Sequence, residues 1–376
     1  MSSAAHDAMV RMLQDDLAGE HAAIIQYMQH VWRMGDAGGD IPCEVQEIAR
    51  DEMRHFRWVA ELVVDLGADP TVERDVIYIN GSPPADLMLL DIDAEDRAIA
   101  QYVAHTREID DRRVTRVIDR ILVDERAHRE LFRGYVTAFG GDPDAPSPRP
   151  GVGPFSGQRA SSGSAQQAAS EAPEATGPFS QERPPTNEVI SVTPYHAPPN
   201  LQLPPGHEQL IATLNSDIGR EYTTVLQYLF QSFVNKSNRL GTELQIDLAQ
   251  WHMKHWGWLA ERVAELGGEV TTHHEEIDRT RDAAYVIRSD IARQQALANH
   301  YAEEMQTVED EDAQRKIARM HAHDVYQIDQ LKNLQTALEA GDLELGVPAA
   351  PPSAAPQAPP APRLTVGDLF GQKQDA

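Results

Sequence analysis

The chain has 376 residues, 41% of them hydrophobic, and a formal net charge of -26. This length predicts two domains with additional non-globular sequence, and the negative charge argues against nucleic acid or an anionic membrane surface as a partner. The single cysteine, Cys43, excludes an intrachain disulfide and cysteine-rich zinc or iron–sulfur sites. We find no apolar run long enough to cross a membrane and no signal-peptide pattern at the N-terminus, so we expect a cytoplasmic protein.

Four amphipathic helices are predicted in the first 140 residues, because apolar side chains recur there at helical spacing. They are expected at 7–34, 42–66, 85–109 and 112–139. Pro42 suits the first turn of the second helix, and Gly67 suits the position just past its end. The connections are short, long and short, which favours an antiparallel four-helix bundle with one crossover.

Residues 207–340 repeat residues 1–140. The segment HMKHWGWLAERVAELG at 252–267 aligns with EMRHFRWVAELVVDLG at 52–67 without a gap. Residues 141–206 are rich in Pro, Ser, Gly and Ala and lack periodicity, so we predict a disordered linker. The predicted fold class is all-α, with two tandem four-helix bundles, this linker and a tail at 341–376.

Two Glu-x-x-His pairs lie on alternate helices of the first bundle, and each of the other two helices adds a glutamate. Residues three apart on a helix project from one face, so each pair can hold a metal ion. One such pair is common by chance, whereas this complete set is the dinuclear motif of bundle cores. Carboxylates neutralise two cations there, and imidazole suits iron. The predicted metal-binding and catalytic residues are Glu20, Glu52, His55, Glu95, Glu125 and His128.

The third helix carries three other carboxylates close in sequence to its predicted ligand. They are Asp91, Asp93 and Asp96. The repeat favours Glu95, which lies two helical turns before Tyr102 on the same face. For Tyr27 and Tyr102 we favour core packing over a role at the metals.

The order of these residues, including Glu52-Met-Arg-His55 and Asp124-Glu125-Arg-Ala-His128, resembles the bacterioferritin branch of the ferritin-like superfamily over residues 7–140. The resemblance implies two ferritin-like bundles with two iron ions in the N-terminal one. It implies that Glu52 and Glu125 are bridging ligands, Glu20 and Glu95 terminal ligands, and His55 and His128 nitrogen ligands. In that family such a centre is a ferroxidase, which oxidises iron(II) with O2 or H2O2 for storage as a ferric mineral.

The second copy keeps only part of this set. Glu221 and His255 persist, but four positions change: His252 replaces Glu52, Gln294 replaces Glu95, Asp324 replaces Glu125 and Gln327 replaces His128. A mononuclear site of Glu221, His252, His255 and Asp324 is one reading. We favour the other reading, in which this copy is a structural partner.

The resemblance also raises the option of haem b. In bacterioferritins the Met after the second-helix Glu ligates haem across a two-fold axis, and Met53 and Met253 hold that place in the two copies. A flexible linker of this length spans about 45 Å root-mean-square, so an intrachain pseudo-dimer is available alongside a homo-oligomer. Met is also an ordinary packing residue between helices.

The tail carries a short apolar motif after a Pro/Ala-rich spacer. Residues 363–371 read Arg-Leu-Thr-Val-Gly-Asp-Leu-Phe-Gly and resemble the cargo-loading peptides that bind encapsulin shells, although Asp368 stands where those peptides have Ser. A stiff spacer that holds such a motif away from a folded domain is typical of a docking peptide. The resemblance implies an encapsulin shell protein as partner and an encapsulin nanocompartment as location.

Three functions follow from these patterns. The leading one is a ferroxidase for iron storage or detoxification, carried as encapsulin cargo. The second is a rubrerythrin-like or manganese peroxide-scavenging enzyme, which needs similar ligands. The third is a haem-bearing electron-transfer or scaffold protein with a residual metal site.

Overall fold

The computed structural model describes residues 3–79, 83–149, 189–190, 207–235 and 239–340. The N-terminal bundle consists of α1 (Ser3–Met34), α2 (Ile41–Asp65), α3 (Pro84–Glu108) and α4 (Arg112–Ala138). The C-terminal bundle consists of α5 (His207–Val234), α6 (Arg239–Glu265), α7 (Ala283–Glu304) and α8 (Glu311–Glu339). The predicted all-α fold is confirmed. Within the described part of the chain, no helix is long and apolar enough to cross a membrane.

The helix ends have local causes in the sequence. Pro42 lies in the first turn of α2, where its missing N–H costs no hydrogen bond. Gly67 follows α2 with φ +83°, a conformation that favours glycine. Asp111 caps α4, because its side chain accepts hydrogen bonds from the backbone N–H groups of Arg113 and Val114 at 2.8 and 3.3 Å.

Each bundle is built from two antiparallel helix pairs around an apolar core. In the first bundle α1 packs on α2 and α3 packs on α4, and in the second α5 packs on α6 and α7 on α8. Fully buried side chains such as Leu13, Val59 and Ile118 fill the first core. This apolar packing fixes the helices around the polar groups at the centre of the bundle.

The crossover between α2 and α3 carries a short strand, β1 (Ile77–Tyr78). It pairs in parallel with β2 (Val189–Ile190), which lies in the segment predicted to be an unstructured linker. Arg149, at the start of that segment, is buried and lies 3.0 Å from the carboxylate of Asp93. Parts of residues 141–206 therefore pack back onto the first bundle. The predicted docking peptide at 363–371 lies outside the described residues.

The two bundles contact each other through α1 and α2 on one side and α5 and α6 on the other. Three ring pairs cross this interface, with centroids 5.8, 5.8 and 6.1 Å apart: His21–Tyr222, Trp32–Trp256 and Phe56–Phe233. Trp32 and Phe233 hold equivalent positions in the repeat, as do Phe56 and Trp256. A rotation that superimposes each bundle on the other would therefore place the Trp32–Trp256 pair on the Phe56–Phe233 pair. This is the contact pattern of a two-fold symmetric interface.

Candidate metal centre

The structure brings all six predicted ligands together at the centre of the first bundle. They come from α1 (Glu20), α2 (Glu52 and His55), α3 (Glu95) and α4 (Glu125 and His128), and all are buried. Their ligand atoms form two overlapping groups, each with every atom within 4.8 Å of the others. One group is Glu20, Glu52, His55 and Glu125; the other is Glu52, Glu95, Glu125 and His128. Glu52 and Glu125 belong to both groups, so each can bridge two ions.

The imidazoles point one nitrogen into the cluster. Nδ1 of His55 lies 2.9 Å from Oε2 of Glu52, 3.0 Å from Oε1 of Glu125 and 3.6 Å from Oε2 of Glu20. Nδ1 of His128 lies 2.9 Å from Oε1 of Glu52 and 3.7 Å from Oε1 of Glu95. Two metal ions of ordinary size could each be held by one imidazole and three carboxylates.

Several of these buried ligand atoms lie close to an opposite charge but make no well-aligned hydrogen bond to any residue that the structure describes. They are one carboxylate oxygen each of Glu20, Glu52, Glu95 and Glu125, and Nδ1 of His128. Burying a polar atom without a partner is costly, and burying a charge costs more. Two divalent cations would supply the missing partners and balance the charge of four carboxylates. The residues therefore fit a dinuclear metal centre.

Two aspartates that the sequence analysis missed support the histidines from outside. Nε2 of His55, on α2, lies 3.3 Å from Asp124 of α4. Nε2 of His128, on α4, lies 3.4 Å from Asp51 of α2. Such partners fix the orientation of a ligating imidazole and leave its other nitrogen free for the metal. The signal was present in the sequence, because each Glu-x-x-His pair is directly preceded by Asp.

The two tyrosines also differ from the expectation of simple core packing. The hydroxyl of Tyr27 donates to Oε1 of Glu95 at 2.7 Å, and that of Tyr102 donates to Oε1 of Glu20. Each therefore orients a carboxylate of the cluster. The charged form of each tyrosine is disfavoured by burial and by the nearby glutamates, which raise the pKa of both hydroxyls.

The structure also separates Glu95 from its acidic neighbours. Asp91 binds His30, Asp93 binds Arg97, and Asp96 binds Arg129. Each of these aspartates has a basic partner away from the cluster. Glu95 alone of the four points into it.

The buried charges of the cluster shift one another's pKa values. Burial, followed by the charges of Glu125 and Glu52, raises the pKa of Glu20 and of Glu95. Burial also opposes the charge on His128, but Glu52 outweighs it and raises the pKa of His128 to about 10. Without metal, these shifts favour the protonated forms of the histidines and the terminal glutamates. Cations would have to displace these protons, so their affinity should rise with pH.

A Glu95→Gln variant is expected to stabilise the metal-free protein. The Glu95 pKa is raised above its ordinary value of 4.5, so the folded state loses stability as pH rises above 4.5. The substituted glutamine cannot ionise, and its side-chain carbonyl can still accept from Tyr27. We expect a gain in the free energy of unfolding of about 1–3 kcal/mol at pH 7, the cost of an unsatisfied buried group. The gain should vanish toward pH 4.

Urea denaturation of both proteins in chelator at several pH values would measure this difference. With metal added the order should reverse, because the variant has lost a ligand. An equal gain at pH 4 and pH 7 would contradict the electrostatic explanation.

A small cavity of about 30 Å³ adjoins the cluster. Its lining includes Glu20, Glu52 and Glu125 of the cluster and the small residues Gly19 and Ala98. A volume of this size can hold one or two water-sized molecules. The cavity therefore has room for a small molecule beside Glu20, Glu52 and Glu125.

The two methionines predicted as haem ligands lie on α2 and α6, the helices at the bundle interface. Both are half-buried, and Met53 packs against the edge of the apolar core. This placement does not test haem binding, which stays a prediction.

Two crystal structures of bacterioferritins are similar to this chain. One, from Desulfovibrio desulfuricans and described as showing its diiron site in different catalytic states, is 26% identical, covers 36% of this chain and 82% of that chain, and has a TM-score of 0.35. The other, from Rhodobacter capsulatus and described with a metal-free dinuclear site and haem iron, is 21% identical, covers 36% and 86%, and has a TM-score of 0.34.

Sequence similarity is concentrated in the first bundle. A family model described as a ferritin-like domain matches residues 10–140. The bacterioferritin of Desulfovibrio desulfuricans is 31% identical over 128 residues, which are 33% of this chain and 72% of that protein. The chain belongs to the bacterioferritin family, through a ferritin-like domain in its N-terminal part.

Proposed function

We propose that the N-terminal bundle is a di-iron ferroxidase centre that oxidises iron(II) for storage or detoxification. The observation that carries this proposal is the pair of overlapping four-ligand groups, which share Glu52 and Glu125. Membership of the bacterioferritin family supports it, since the Desulfovibrio desulfuricans member is described as having a diiron site with different catalytic states. We propose residues 1–140 as the domain that performs this chemistry.

The residues have distinct proposed roles. Glu52 and Glu125 would hold both ions, Glu20 and Glu95 would each hold one, and His55 and His128 would supply nitrogen ligands. When bound, the two iron(II) ions supply two electrons, which with two protons reduce O2 to H2O2 or H2O2 to water. Asp124 and Asp51 fix the orientation of the two imidazoles. Tyr102 and Tyr27 fix the orientation of the carboxylates of Glu20 and Glu95. These contacts fix the ligand geometry before the ions arrive.

The test is anaerobic titration of the intact protein with iron(II), followed by addition of O2 or H2O2. We expect a fast phase of two iron(II) oxidised per chain. Zinc(II) has no redox chemistry and takes the same ligand types. A sample preloaded with zinc should therefore lack the fast phase. A fast phase that survives zinc would contradict the proposal, and peroxide loss without iron oxidation would favour the peroxide-scavenging function.

We further propose that the chain is cargo of an encapsulin shell, docked through residues 363–371. The sequence of the peptide and its Pro/Ala-rich spacer support this proposal. A shell would also confine the ferric product.

Deletion of residues 363–376 is expected to abolish co-purification with a co-expressed encapsulin shell protein. The peptide supplies the apolar side chains that a groove would read, so nothing else in the tail should replace it. A matched control removes the spacer at 341–362 and keeps the peptide. That control should still co-purify, and unchanged co-purification of the first variant would contradict the docking role.

A further inference from the structure

The C-terminal bundle contains a second buried cluster of metal-ligand side chains. Glu221 of α5 and His252 and His255 of α6 are fully buried, and their ligand atoms lie within 4.8 Å of one another. Asp324 of α8 is also fully buried, and its Oδ1 lies 4.0 Å from Nδ1 of His255. These residues occupy the positions of Glu20, Glu52, His55 and Glu125, which form one half of the N-terminal centre.

Ligand atoms of this cluster remain unsatisfied. Nε2 of His252, Nδ1 of His255 and Oδ2 of Asp324 form no hydrogen bond with the described parts of the chain. The hydrogen bond between Nδ1 of His252 and Oε2 of Glu221, 2.5 Å long, uses none of these three atoms, and Nδ1 of His255 lies 3.5 Å from the same carboxylate oxygen. A purely structural role would therefore carry three desolvated polar atoms that lack a hydrogen bond. A cation at this point would satisfy them.

In the C-terminal bundle, two neutral glutamine side chains occupy the positions that correspond to the other half of the N-terminal centre. Gln294 and Gln327 replace Glu95 and His128, and the side-chain amide of Gln294 donates to the side-chain oxygen of Gln327. Gln294 also donates to Asp324 at 3.4 Å. Four carboxylates of the first cluster become two in the second, Glu221 and Asp324. Four carboxylates can balance the charge of two divalent ions, whereas two carboxylates can balance the charge of one.

Side chains that orient Glu221 and His255 are present at the same positions as in the first bundle. The hydroxyl of Tyr301 donates to Oε1 of Glu221, as Tyr102 does to Glu20. Nε2 of His255 lies 3.1 Å from Nδ1 of His323, which stands where Asp124 stands in the first bundle. With Nε2 of His255 as the donor, its Nδ1 presents a lone pair to the cluster. This is the orientation that a ligating histidine requires.

We infer that the C-terminal bundle binds a single divalent transition-metal ion through Glu221, His252 and His255, with Asp324 beside the site. Two imidazoles and a carboxylate with open positions form the ligand set of mononuclear non-haem iron(II) sites, so iron(II) is the expected ion. This inference replaces the structural role that the sequence favoured for the second copy. It goes beyond the proposed ferroxidase activity and does not depend on it.

The test is cobalt(II) binding to the full chain, counted by equilibrium dialysis with metal analysis. In the background Glu52→Ala/Glu125→Ala, which removes the shared ligands of the first bundle, we expect one ion per chain. Adding His255→Ala should reduce this number to none. Zero ions in the background protein, or one ion that survives His255→Ala, would overturn the inference.

Two further variants keep the result interpretable. Glu221→Gln is isosteric and keeps an acceptor for Tyr301, so it should fold normally, as checked by far-ultraviolet circular dichroism, and also lose the ion. His300→Ala removes a member of a separate acidic group, Asp217, His300 and Glu304, and should leave the count at one. A loss of the ion in His300→Ala would place it in that group and overturn the assignment.

The intact protein separates the two proposals. Three ions per chain support both sites. Two ions that are lost together in Glu52→Ala/Glu125→Ala support only the ferroxidase centre and overturn this inference. One ion that is lost in His255→Ala supports only the mononuclear site.

Discussion

Replacement of Glu52 by alanine is expected to abolish the fast phase of iron(II) oxidation. Glu52 belongs to both ligand groups of the N-terminal cluster, so its loss weakens both metal positions at once. Loss of a partner outside the ligand set typically costs about 10–100-fold in affinity or activity, and loss of a shared ligand should cost more. The variant should therefore approach the rate of iron(II) in buffer alone.

Electrostatics adds to this effect. Oxygens of Glu52 lie 2.9 Å from Nδ1 of both His55 and His128. Burial opposes the charge on Glu52, but these two histidines outweigh it and hold its pKa well below the usual range. The shift therefore favours an ionised Glu52 when metal approaches. Alanine removes this charge and a carboxylate that contacts both imidazoles.

Glu47→Ala is the matched control for this experiment. Glu47 lies on the same helix, its side chain is 57% exposed, and it pairs only with the surface residue Arg50 among the described contacts. Both variants lose one carboxylate from α2, so a general charge effect would appear in both. Stopped-flow oxidation of anaerobically loaded protein gives the rates. Equal rates in Glu52→Ala and wild type would refute the di-iron assignment.

Replacement of Trp256 by alanine is expected to lower the free energy of unfolding by about 3–5 kcal/mol, the usual cost of truncating a buried aromatic residue. Trp256 is only 7% exposed. It stacks on Tyr222 within its own bundle at 4.5 Å and contacts Trp32 of the other bundle at 5.8 Å. The substitution therefore weakens one core and the interface together.

Two controls define the cause of that loss. Nε1 of Trp256 has no hydrogen-bond partner among the described residues, and the equivalent position in the first bundle holds Phe56. Trp256→Phe should therefore cost much less than Trp256→Ala. Tyr326→Ala removes an aromatic ring that is 63% exposed, and its effect should stay within about 0.5 kcal/mol. Urea denaturation measures all three, and similar values for Trp256→Ala and Tyr326→Ala would contradict a packing role.

The local patterns of the sequence were sufficient to predict the helices and the repeat. Helical periodicity predicted the four N-terminal helices to within a few residues, because an amphipathic helix must bury one face. The short strand at Val189–Ile190 was missed, since two residues carry no period and their pairing depends on a distant segment. The two Glu-x-x-His pairs indicated metal chemistry, because residues three apart must share a helix face.

Contacts between helices decided the remaining features. The sequence could not choose firmly between Glu95 and its neighbours, and the structure does so because Asp91, Asp93 and Asp96 each meet a basic side chain of another element or turn. Asp51 and Asp124 acquire their roles only when α2 and α4 face each other. From the sequence alone, the substitutions in the second bundle favoured a structural role without metal. In the folded bundle, Gln294 and Gln327 bind each other where the first bundle has Glu95 and His128. The buried ligand atoms of His252, His255 and Asp324 lack hydrogen bonds among the described residues. Neither feature could be predicted from the sequence, because burial and hydrogen-bond partners depend on how the helices pack.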